Sequence, residues 1–199
     1  MSHLAFMIAL VSGLSARSNA PICLAPASAQ FAGTDAAQAS AAVNEVFKSY
    51  LTGPSLSVVP LTARLQSQVR EEARQASCKF VLFVTARQER QKRGGTLGQI
   101  AGHAAQEAVV NAGFEASTVR NRVTSVAANV AARAAMDLAA TTRMHDEMEL
   151  SYRLESETGA VLKEGKTKRR AKADGEDLLT PVVERSAEEI ATVVTTGGR

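Results

Sequence analysis

Met148, Leu150, Tyr152 and Leu154 alternate with Glu147, Glu149, Ser151 and Arg153. This period of two belongs to a strand with one buried and one wet face. Thr158-Gly159 supplies a turn, and a basic strand returns through Lys163, Lys166, Lys168 and Arg170. With Thr158-Gly159 as a two-residue loop, Arg153 faces Glu164, Glu149 faces Lys168 and Glu147 faces Arg170. Each of these cross-strand pairs is opposite in sign, and a slip by one residue destroys all of them. The pattern predicts a hairpin with Met148, Leu150, Tyr152 and Leu154 turned to the core. It speaks to fold and says little about chemistry.

The same reading places elements around the hairpin. From Asp35 to Leu51, Val43, Val46, Phe47, Tyr50 and Leu51 fall on one helical face, with Asp35 as N-cap and Gly53-Pro54 as the stop. Leu56 to Val59 is a short strand. A second helix opens at Thr62, with Leu65, Val69, Ala73 and Ala76 as its buried stripe. The continuous apolar run Phe80-Val81-Leu82-Phe83-Val84 suits a strand covered on both faces. The two strands and the helix between them form a parallel unit with a right-handed crossover. After the hairpin, Leu179, Val182, Val183, Ile190, Val193 and Val194 mark a last helix. Its start is either an acidic cap from Asp174 and Asp177 or the pair Thr180-Pro181. The expected class is α+β, a mixed sheet of about four strands packed on helices.

Between the apolar strand and the hairpin, residues 94–142 are dominated by small side chains and read as an insertion. Gly94, Gly98 and Gly102 recur at four-residue spacing, and Val119, Val123, Val126 and Val130 at helical spacing, with a break at Asn111 to Gly113. The insertion is a helical hairpin or a mobile segment. Small residues at every fourth position permit close helix approach, which makes Gly94, Gly98 and Gly102 candidates for self-association or membrane-surface contact. Gln99, His103, Gln106 and Glu107 make the segment too polar to span lipid.

The start of the chain has the look of a leader. Leu4 to Leu14 is apolar but shorter than the roughly 20 residues a spanning helix needs. Ala27-Ser28-Ala29 before Gln30 fits the small-x-small cleavage pattern, and Ser18-Asn19-Ala20 is a second option with Pro21 just past the cut. No Lys or Arg precedes the apolar run. The expected organisation is a signal peptide over 1–29 and one domain over 30–199, located in the periplasm or otherwise exported. Cys23 then leaves with the leader. Pro21-Ile22-Cys23 is a poor lipoprotein box, because Ile22 stands where a small residue is needed. Cys78 reads as a small buried hydrophobe, with no metal or disulfide role.

Composition adds bounds. The 199 residues are 45% hydrophobic, only 4% aromatic and without Trp, so one domain with a modest core is expected. The formal charge of +3 comes from interspersed acids and bases and favours no partner strongly. The glycine run lacks the spacing of a dinucleotide fingerprint and of a phosphate loop. His103 and His145 have no ligand-spaced partner, and no Ser or Cys sits in a nucleophile-elbow pattern. No catalytic, metal or cofactor-binding residue is assigned, and no cofactor is expected. Lys166, Lys168, Arg169, Arg170 and Lys172 form the densest basic cluster and are candidate contacts to an anionic surface. A strand splits them between two faces, with Tyr152 the one aromatic nearby and acids across the hairpin to neutralise them.

The order helix–strand–helix–strand, insertion, strand–strand–helix resembles a group of exported envelope domains. These are the curli-secretion-channel (CsgG-like) proteins, the TolB amino-terminal domain and the LpoB-type activators of penicillin-binding proteins. The resemblance spans Asp35 to Val194 without the insertion and rests on element order and on Cys78-Lys79-Phe80-Val81-Leu82-Phe83-Val84. The phrases Leu51-Thr52-Gly53-Pro54-Ser55 and Lys172-Ala173-Asp174-Gly175-Glu176-Asp177 look like those of uncharacterised exported bacterial proteins. The channel proteins are lipidated at an amino-terminal cysteine and insert alternating strands into the membrane, whereas here Cys23 lacks a proper lipidation box and the insertion reads better as helix. The resemblance implies a non-enzymatic envelope protein that binds another protein or itself, and brings no catalytic residues. The alternative is a binding module for an anionic surface, nucleic acid or acidic lipid. Location separates the two, because a cytoplasmic protein favours nucleic acid.

Overall fold

The computed structural model describes residues 20–53, 56–90 and 125–196. In chain order the elements are β1 (Ala20–Leu24), β2 (Ser28–Gln30), α1 (Ala36–Leu51), β3 (Leu56–Pro60), α2 (Gln66–Gln75), β4 (Phe80–Glu89), α3 (Ser125–Ala139), β5 (Glu147–Ser156), β6 (Val161–Arg170) and α4 (Leu179–Thr196). The class is α+β, as the hydrophobic pattern indicates. The mixed sheet has six strands rather than about four, in the order β3-β1-β4-β5-β6, with β2 also on β4. β1 runs parallel to both β3 and β4, while β4, β5 and β6 are antiparallel.

Of the two additional strands, β1 lies within the segment expected to be removed as a leader and β2 straddles its end. β1 is an inner strand, and Ile22, Cys23 and Leu24 are fully buried. A cut after Ala29 would fall inside β2 and take β1 out of the middle of the sheet. A short apolar run followed by small residues serves equally well as a leader's end or as an inner strand, so composition alone does not fix the boundary. Residues 1–19 lie outside the described residues. β1 also separates β3 from β4, so the expected parallel pair are not neighbours.

Cys23 and Cys78 form a disulfide with Cα atoms 5.7 Å apart, across 55 residues of sequence. This overturns the reading of Cys78 as a lone hydrophobe. Cys78 arrives there through the end of α2. Ser77 takes up a left-handed conformation at φ 55°, and the Cys78 N–H then bonds back to the Ala73 carbonyl at 3.0 Å.

The sheet has two differently covered faces. On one, Leu24, Leu82, Val84, Leu150, Tyr152 and Leu154 pack with Val43 and Phe47 of α1 and Val183 and Ile190 of α4. On the other, Val69 and Ala73 of α2 form a smaller cluster with Cys23, Ala25, Leu61, Cys78 and Val81, with Val59, Ala63 and Phe83 packed against it. From β1 to β3 the sheet grows one way with α1 on one face. From β3 to β4 it grows the other way with α2 on the opposite face. A constant crossover hand requires this switch.

Helix ends follow local chemistry. The Asp35 carboxylate accepts from the N–H groups of Ala37 and Gln38 at 2.8 and 3.2 Å. Asp177 does the same for Leu179 and Thr180 at 2.9 and 3.0 Å, which settles the start of α4 in its favour. Asp174 instead accepts from Met144 N–H at 2.6 Å. α2 starts at Gln66 and not at Thr62, because Glu72 reaches back to the N–H groups of Thr62 and Ala63 and holds them outside the helix. Its buried stripe shrinks to Val69 and Ala73, and Leu65 is left 64% exposed.

The insertion is partly a packed helix. α3 lies against α1 and buries Ala131, Ala135 and Leu138, while Val130 is 47% exposed. Ala131 and Ala135, not Val130, are buried in the contact, since small side chains let two helix backbones approach closely. Gly94, Gly98 and Gly102, with Val119 and Val123, lie outside the described residues, as does His103.

Candidate interaction surface

The hairpin forms in the register that its charges dictate. Glu147 pairs with Arg170, Glu149 with Lys168 and Arg153 with Glu164. Met148, Leu150, Tyr152 and Leu154 are all buried. One register shift occurs between Leu154 and Glu155, so the turn end of the hairpin is irregular.

Because α2 covers only one end of the second face, the remainder of that face is open and polar. Cross-strand partners share a face, so pairing fixes its composition. Across the sheet it carries Ser28 and Gln30, then Thr85, Arg87 and Glu89, then Glu147, Glu149 and Ser151, then Lys166, Lys168 and Arg170. A shallow depression on it is lined by Phe83, Thr85, Ser151, Arg153, Glu164 and Lys166.

The charges of β5 and β6 on this face are opposite in sign, and Lys166 and Lys168 are engaged by the acids of β5. Lys166 Nζ lies 2.6 Å from Glu149, and Lys168 Nζ lies 2.9 Å from Glu149 and 3.0 Å from Glu147. Hydrogen bonds from Lys166 and then Lys168 hold the Glu149 carboxyl below the usual range. Hydrogen bonds to Glu149 and Glu147 push the Lys168 ammonium up.

The five residues of the basic cluster are not one patch. Lys166, Lys168 and Arg170 share the open face, as alternation along a strand requires. Arg169 is on the other face, with its Nη2 3.1 Å from Glu176. Lys172 lies beyond the strand, and its N–H donates to Glu176 at 2.6 Å. Burial works against a charged Glu176, but the Lys172 N–H and the Arg169 guanidinium outweigh it and hold the carboxyl low.

Two buried carboxylates escape sequence reading. Glu155, 2% exposed, receives Nε and Nη2 of Arg70 at 3.2 and 3.0 Å and has Arg153 Nε at 3.0 Å. With its oxygen turned to them, the Gln66 amide accepts from Arg153 at 2.7 Å and from Arg70 at 3.1 Å. The Arg153 guanidinium also stacks 5.2 Å from the Phe83 ring centre. Asp146, 1% exposed, accepts from Gln88 Nε2 at 3.1 Å and Arg143 N–H at 2.9 Å, with Arg90 Nε at 3.8 Å. Each acid fastens elements far apart in sequence, α2 to β5 in one case and β4 to the start of β5 in the other. No pattern within either element marks them in advance.

β6 closes the sheet on this side. Among the described residues it pairs only with β5. Apart from Gly165 and Thr167 its residues are exposed, Val161 by 52% and Leu162 by 43%. Among the described residues no cluster of His, Cys, Asp or Glu has the make-up to hold a metal ion, and no helix is long and apolar enough to cross a membrane.

No protein-family model matches the chain, and no curated protein does. Among solved structures it is similar to the PelC dodecamer from Paraburkholderia phytofirmans, at 14% identity and TM-score 0.48, over 89% of each chain. A single-substitution variant of that dodecamer matches at 14% identity and TM-score 0.47, over 89% of this chain and 90% of that one. A neuraminyllactose-binding hemagglutinin homolog from Helicobacter pylori matches at 7% identity and TM-score 0.34, over 98% of this chain and 91% of that one. Likenesses at these values carry no functional weight.

Proposed function

We propose that this chain is a non-enzymatic, exported cell-envelope protein that acts by binding another protein or itself. The observation that carries the exported half is the buried Cys23–Cys78 disulfide, since structural disulfides form and persist in oxidising compartments. On this reading the leader ends no later than Ala20, the first residue of β1, so that the strand from Pro21 to Leu24 is kept. Cys23 is then a structural half-cystine and not a lipid-attachment site. The binding half is supported by the open, charged face of β2, β4, β5 and β6 and by the outer edge of β6. From α1 to α4 the element order is also the one behind the resemblance to the CsgG-like, TolB amino-terminal and LpoB-type domains.

Binding to nucleic acid or acidic lipid is disfavoured by geometry. The cluster is divided between two faces, with Lys166, Lys168 and Arg170 on one and Arg169 on the other beside Glu176, so it offers no continuous basic surface. Intact-mass measurement on the protein from its native cells tests the proposal. The expected chain lacks the leader, starts no later than Pro21 and is lighter than the dithiol form by two hydrogens. A chain that keeps Met1, with both cysteines free to alkylate in the cytosolic fraction, overturns it.

A further inference from the structure

We propose that the outer edge of β6 is a strand-pairing site for an extended acidic segment of a partner protein. This rests on the reading of the chain as an interaction protein and names the chemistry of its partner. The Ala171 N–H donates to the Asp146 carbonyl at 2.8 Å, which fixes the residues of β6 that bond inward. By the alternation of an antiparallel ladder, Glu164, Lys166 and Lys168 turn their N–H and C=O groups away from β5. Among the described residues no strand meets these three.

The charge pattern selects the occupant. β5 presents Glu147 and Glu149 on the open face, and β6 presents Lys166, Lys168 and Arg170 beside them. A further strand adds side chains on the far flank of these lysines. Acids there would set Lys166 and Lys168 between two acidic columns, and an ammonium has three protons to donate. A second copy suits the edge less well, because β6 carries Lys163, Lys166, Lys168, Arg169 and Arg170 against one acid, Glu164, so most of the charge that its twin adds is of like sign. At the start of β6, Val161 and Leu162 leave large apolar surface exposed. An antiparallel guest covers it with apolar residues at its carboxyl end. The fitting segment thus alternates acids along its length and closes on aliphatic residues, a form of recognition by strand addition.

The test uses the full mature chain and a synthetic peptide as long as β6, alternating Glu with Thr and ending in Val-Leu. Amide exchange on the chain alone should be fast at Lys166 and Lys168. The peptide should bind and slow exchange at Glu164, Lys166 and Lys168. A peptide with Lys in place of Glu should not bind. Glu164→Pro removes one outward N–H but no basic side chain, and should weaken the acidic peptide about tenfold. Attraction by charge alone would leave that affinity unchanged or raise it. Slow exchange at the edge before peptide is added means the edge is already filled, and overturns the proposal. So does peptide binding without protection of β6, or binding of phosphatidylserine vesicles in place of the peptide. None of these results bears on where the protein resides, which the mass measurement decides separately.

Discussion

Gly165 lies across the hairpin from Tyr152, and a Cβ built on Gly165 would overlap the Tyr152 ring. The ring occupies the space that any other residue at 165 would fill. This lets Tyr152 extend to α4, where its hydroxyl donates to Glu189 Oε2 at 2.6 Å. Gly165→Ala is therefore expected to displace the ring and to cost about 1–3 kcal/mol, the range for overpacking a well-filled site. In a Tyr152→Ala background the same methyl should cost much less. Chemical denaturation of the four proteins checks this, and equal costs in both backgrounds would mean the ring is not what glycine accommodates.

The disulfide joins an inner strand to the end of α2 across 55 residues. By the chain-entropy relation, closing a loop of that length contributes up to about 4 kcal/mol. Cys23→Ala/Cys78→Ala should lower the denaturation midpoint accordingly, and adding reductant should then change nothing further. The unsubstituted protein should lose a similar amount under reductant in urea.

Leu150 is fully buried on β5, and Leu150→Ala should cost roughly 2–5 kcal/mol. Glu149→Lys and Lys168→Glu lie on the exposed side and should each cost far less. Exchanging the two should recover only part of the loss. Glu149 contacts both Lys166 and Lys168, so a lysine at 149 meets Lys166, and a glutamate at 168 meets Glu147. Full recovery on thermal melting would show that the Glu149–Lys168 pair acts alone.

Alkaline pH should destabilise the fold through two phenols. Burial first, then Glu184 and Asp177, push Tyr50 from 10.0 up to about 12. Burial and the hydrogen bond to Glu189 push Tyr152 up as well. Above pH 10 an unfolded chain releases these protons while the folded chain keeps them. The unfolded state then binds fewer protons, and stability falls as pH rises from about 10 towards 12. Tyr50→Phe/Tyr152→Phe should flatten that fall in melts taken across this range. An unchanged slope would assign it to other groups.

The legibility of the fold depended on how local each cause is. The β5–β6 register could be read because alternation and three opposite-sign pairs all lie within 24 residues, Glu147 to Arg170. α1 and α4 were legible from their stripes and acidic caps. β1 was not, because Ile22, Cys23 and Leu24 gain their meaning only from β3 and β4 on either side. The Cys23–Cys78 bond disappeared with β1. Glu155 and Arg70 are 85 residues apart, and each looks like an ordinary surface charge until α2 is laid on the sheet. On the open face, the spacing along β6 correctly divided Lys166, Lys168 and Arg170 from Arg169. The acids that occupy them at Glu149 and Glu176 came only partly into view.

The position of β1 has a consequence for the order in which the molecule assembles. It is the earliest described element to leave the ribosome, yet both of its neighbours come later, β3 from Leu56 and β4 from Phe80. Until Leu82 has emerged, β1 has one edge without its native partner, and Cys23 waits for Cys78. An apolar strand held in that state is the part of the nascent chain most in need of shelter, and the disulfide marks the moment at which the wait ends.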